Sequence, residues 1–91
     1  MTEQLKAKID YLSSEIYDLM RIIEKGYEVI NSIHREDLKT IYFEELKPFT
    51  HDYQEIKAEL VEALEQYFLE EKKQSLPNDL TYRRLYRRLK E

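Results

Sequence analysis

The sequence predicts an all-α fold: a long antiparallel helical hairpin and a short C-terminal helix, with hairpins dimerising into a helical bundle. Three observations predict it. Apolar residues and one glycine recur at Leu5, Ile9, Leu12, Ile16, Leu19, Ile23, Gly26, Ile30 and Ile33, the 4-3 rhythm of a coiled coil. A second stripe at helical spacing runs from Leu38 to Phe68. The 91 residues include one glycine and two prolines, too few for the tight turns of a β-rich chain.

The first helix is expected over about 3–33. Thr2 is its candidate N-cap, and Glu3 lies in the first turn, where the helix dipole favours an acid. Ile9, Leu12, Ile16, Leu19, Ile23 and Ile30 form its apolar seam, read as the seam of a homodimer. Lys25-Gly26 could end the helix, but apolar residues on both sides of Gly26 keep one direction at about 100° per residue. The helix therefore continues, and Gly26 is read as a tolerated gap costing about 1 kcal/mol relative to alanine.

Across His34-Arg35-Glu36-Asp37 the apolar phase jumps by about a third of a turn, so the chain reverses. Asp37, or Ser32 for an earlier turn, is the candidate cap of the next helix, expected over about 37–74. Its stripe comprises Leu38, Ile41, Tyr42, Leu46, Phe49, Tyr53, Ile56, Leu60, Ala63, Leu64, Tyr67 and Phe68. Pro48 interrupts the stripe without shifting its phase, so a kink or short break is expected there. Unbroken arms would be about 45 and 55 Å long, which points to pairing with a second copy. Arms broken into shorter helices would instead close a monomeric four-helix bundle.

Ser75-Leu76-Pro77-Asn78-Asp79 reads as a linker, with Asn78 or Asp79 capping a last helix over about 79–90. In that helix Tyr82, Leu85, Tyr86 and Leu89 share a face, flanked by Arg83, Arg84, Arg87 and Arg88. At about eleven residues it must dock to be ordered. The whole chain, 1–91, is one domain.

At 42% hydrophobic and 37% charged residues the chain is too apolar for a disordered tail and too charged for a membrane protein. No apolar run approaches the roughly 20 residues that span a bilayer, and MTEQLKAK lacks a signal-peptide stretch. A cytoplasmic location and no membrane span are expected. The absence of cysteine excludes disulfides and thiolate chemistry. The net charge of -4 is unevenly divided: residues 1–71 carry 8 Lys and Arg against 17 Asp and Glu, residues 72–91 carry 7 against 2. Body and tail should attract each other. The arginines are expected to pair with Glu55, Glu59 and Glu62, within a chain or between two.

Tyr82, Arg83, Arg84, Tyr86, Arg87 and Arg88 form the candidate partner-binding surface. Their composition also suits a nucleic-acid-associated accessory factor, although a pI near 5.3 weighs against one. Tyr11 and Tyr17 lie beside the first stripe, where they would rim the core or the dimer seam. His34 and His51 lack metal-ligand spacing and are expected as solvated turn residues. The pairs Glu44-Glu45 and Glu70-Glu71 point about 100° apart on a helix, and no motif places a base beside a nucleophile or cradles a phosphate. The expectation is a non-enzymatic protein–protein interaction module without metal or cofactor, a small helical adaptor or regulator, most simply a homodimer. In length, helix content and the Leu76-Pro77 turn before a short terminal helix, the chain also resembles the bacteriocin immunity proteins. That resemblance implies a helical-bundle architecture and carries no residue over. A gene for a small secreted peptide next door would strengthen it.

Overall fold

The computed structural model describes residues 2–91. Three helices, α1 (Thr2–Ser32), α2 (Glu36–Gln74) and α3 (Leu80–Lys90), and no strand occur among the described residues. The two long helices form a hairpin, and the molecule measures 57 × 18 × 16 Å.

The helix ends differ in detail from expectation. Thr2 lies inside the first turn of α1 rather than capping it, and Ile33 falls in the turn. Ser32 closes α1 instead of opening α2, its hydroxyl donating to the Val29 carbonyl at 2.7 Å. Arg35 occupies the N-cap position of α2 without a side-chain cap bond. Asp37 sits in the first turn, accepting from the Arg35 guanidinium at 2.7 and 3.2 Å. Helix α2 runs through Pro48 rather than splitting there. The proline ring removes one N–H and frees a carbonyl on the preceding turn. Because Pro48 is exposed, water can satisfy that carbonyl. Both arms therefore stay long, and the shorter-helix bundle does not form.

Ile9, Leu12 and Ile16 of α1 pack with Leu60, Ala63, Leu64 and Tyr67 of α2, and Tyr82 and Leu89 of α3 complete this core. The stripe expected to be a homodimer seam is thus used within one chain. Ile9, Leu12, Ile16 and Ile30 are buried, and Leu19 and Ile23 are half-buried. The antiparallel second arm presents a matching stripe at short loop-closure cost, so the two arms pair first. A second copy would need other side chains.

Gly26 is a point of close approach rather than a tolerated gap. A Cβ there would lie 2.6 Å from Cδ1 of Leu46, so the missing side chain lets Leu46 sit against α1. Away from α3 the hairpin thins to two helices. Between residues 20 and 49 only Ile30 and Leu46 are buried.

Candidate functional site

Two regions carry the unusual side chains: the α3 anchor at one end and the bare tip at the other. The anchor starts where α2 stops. Ser75 adopts the left-handed conformation (φ 53°), and the Leu76 N–H donates to the Glu71 carbonyl at 2.9 Å, the bond that closes a helix end and reverses the chain. Asp79 then caps α3, its carboxylate accepting from the Tyr82 N–H at 3.1 Å. Glu71 joins these parts. Its side chain is 2% exposed, with Oε2 accepting from the Asp79 N–H at 2.8 Å and Oε1 from Arg83 Nη2 at 3.1 Å. The Arg83 guanidinium lies 4.6 Å from the Phe68 ring centroid and also donates to Asn78 Oδ1 at 3.2 Å. Its Nε is buried with no partner among the described residues, so this clamp is not fully satisfied.

On the opposite flank the Tyr82 hydroxyl donates to Asp10 Oδ1 at 2.9 Å. Burial, then that hydrogen bond and the nearby Asp10 charge, push the Tyr82 phenol well above its ordinary value of 10.0. Raising the folded-state value favours the neutral phenol, so this contribution is intact below pH 10 and declines as pH rises above it. Tyr82→Phe should therefore lower stability near neutral pH by about 1 kcal/mol for the lost bond. It should also flatten the alkaline fall, read from thermal unfolding between pH 8 and about 11. An alkaline fall as steep as in the parent chain would contradict this assignment.

The candidate partner surface is divided by the fold. Tyr82 is buried, Arg83 is held by Glu71, and Tyr86 is half-buried with its hydroxyl donating to Glu65 at 3.4 Å. Arg84, Arg87 and Arg88 remain exposed without an ion pair among the described residues. Arg88 donates instead to the Tyr17 hydroxyl at 3.3 Å, whereas Tyr11 stands in solvent. Within the chain, the expected pairing of arginines with Glu55, Glu59 and Glu62 does not occur among the described residues. Helix α3 lies against Asp10, Ser13 and Tyr17 of α1 and Phe68 of α2, while those three acids are exposed on α2. Glu55 meets His51 of its own helix at 3.1 Å, which also places His51 within α2 rather than in a turn. Sequence reasoning missed Glu71. A signal was present: Leu60, Leu64, Tyr67 and Glu71 continue one 4-3-4 stripe, which places an acid in the core.

At the tip the spacing defines two faces. Asp10, Ser13 and Tyr17, which line the α3 side, continue in steps of three and four to Met20, Glu24 and Tyr27. The Tyr27 ring meets that of Phe43 edge-on at 6.3 Å. The opposite face carries Ile22, Lys25 and Val29 of α1, and Ile33 of the turn, beside Leu38, Ile41, Glu45 and Phe49 of α2. Ile22, Val29, Leu38, Ile41 and Phe49 are exposed, Ile41 to 53%.

Among the described residues no three His, Cys, Asp or Glu side chains are grouped to hold a metal ion, and no helix is long and apolar enough to cross a membrane. No protein-family model, curated protein or solved structure matches the chain.

Proposed function

We propose that the protein is a non-enzymatic interaction module, a small helical adaptor or regulator that works through its apolar hairpin tip. One observation carries this reading: exposed large apolar side chains concentrate at the end of the hairpin that α3 does not cover. Met20, Ile22, Tyr27, Val29, Leu38, Ile41, Tyr42, Phe43 and Phe49 are all there. Exposed apolar side chains gathered at one end of a molecule mark a candidate binding surface. The core below the tip holds the hairpin without them, which leaves these side chains free to bind.

The test is Val29→Glu combined with Ile41→Glu in the full chain. Both positions are exposed, so the melting temperature should stay within about 5 °C. Proteins retained by the parent chain should be lost, together with any mass above that of one chain in light scattering. Unchanged retention and unchanged mass would refute the reading.

A second reading rests on Arg84, Arg87 and Arg88, which have no carboxylate partner among the described residues and could contact nucleic-acid phosphates. Arg84→Glu with Arg88→Glu should then abolish retention on nucleic acid while leaving the fold intact. Retention absent already in the parent chain would discard this reading.

A further inference from the structure

We infer that the tip face opposite α3 docks a second copy of this chain, the two hairpins lying side by side with their tips at the same end. The inference rests on the tip reading and names its occupant. Two contacts define which residues of α1 and α2 lie level: Gly26 with Leu46, and Tyr27 with Phe43. The same register sets Ile22 level with Phe49, Lys25 with Glu45, Val29 with Ile41, and Ile33 with Leu38. A two-fold axis running along the helices places α1 of each copy on α2 of the other. Ile22 then meets the second copy's Phe49, Val29 its Ile41, and Lys25 its Glu45.

Charge selects this arrangement. Lys25 and Glu45 are exposed and make no ion pair among the described residues. With the tips opposed, a two-fold axis across the helices would stack α1 on α1, setting Lys25 near Lys25 and Glu45 near Glu45 at the centre. With the tips together, opposite charges meet twice. Below the tip the same register brings Asp18 level with Asp52, so acid faces acid and the contact ends there. The exposed parts of Ile22, Val29, Leu38, Ile41, Tyr42 and Phe49, with the charged rim, bury on the order of 1,000 Å² between two copies. That is the low end for specific association, so the dimer is reversible.

The experiment is sedimentation equilibrium of the full chain and of Lys25→Glu and Glu45→Lys, each alone and then mixed in equal amounts. The parent chain should approach twice its 11.2 kDa mass as concentration rises. Each single variant sets like charges across both seams and should associate roughly tenfold or more weakly. The mixture should recover the dimer. In one seam the acid introduced at position 25 faces the base introduced at position 45 of the other variant, and in the second seam the original Lys25 and Glu45 pair. Recovery on mixing cannot arise within one chain. A parent chain that stays at 11.2 kDa overturns the second copy as occupant. The tip reading would then still be judged by what Val29→Glu with Ile41→Glu fails to retain. A dimer indifferent to both charge changes overturns the tips-together arrangement.

Discussion

Glu71→Ala is expected to lower the unfolding free energy by about 3 kcal/mol and to release α3 from the hairpin. The carboxylate accepts from the Asp79 backbone and from Arg83, so its removal leaves a partly buried N–H without an acceptor and the guanidinium with Asn78 alone. The value lies at the low end for a broken buried pair because Arg83 is partly solvated. Roughly 15 °C of melting temperature should be lost. Amide exchange over residues 80–90 should accelerate more than over residues 9–16, since an eleven-residue helix has little stability once undocked. Glu71→Gln keeps an acceptor for Asp79 and should fall between the parent and Glu71→Ala. A melting temperature within about 4 °C of the parent for Glu71→Ala would show that apolar packing of Tyr82 and Leu89 holds α3 without the clamp.

Leu64→Ala should cost a similar amount, about 3 kcal/mol, through lost burial and the cavity left behind. Leu64 is fully buried where all three helices meet, so its neighbours have little freedom to collapse into the space. Ile41→Ala removes as many atoms from a side chain of the same size at the tip, yet should cost no more than about 0.5 kcal/mol in dilute solution. Thermal unfolding of both variants at one low concentration makes the comparison. Equal losses would mean that the tip shares the core, and the case for a free apolar surface would fail.

These contrasts also separate what was legible in the sequence from what was not. Helix type and approximate limits followed from apolar spacing, because a stripe recurring every three or four residues stabilises only one backbone period. The Asp79 cap followed from proline and a short acid at the linker. The path of α2 through Pro48 was not legible, since it depends on whether the freed carbonyl reaches water. Gly26 looked like a gap for a related reason: a glycine does not announce which side chain, here Leu46, will lie over it. Arg83 found Glu71 rather than Glu55, Glu59 or Glu62 because the groove that α3 enters determines which acids it can reach.

The sequence by itself determined an all-α hairpin with a short docked helix, an acidic body and a basic tail. Local period, cap chemistry and composition are properties of the chain wherever it lies. Tertiary structure alone decided that the isoleucine seam is filled within one molecule, that Glu71 is the buried acid holding α3, and that the tip remains uncovered. Each depends on which stripe meets which. An intramolecular partner held by the short turn between α1 and α2 is always near at hand, whereas a second copy must be recruited from solution. The hairpin therefore closes its own core first and leaves the side chains beyond the reach of α3 exposed.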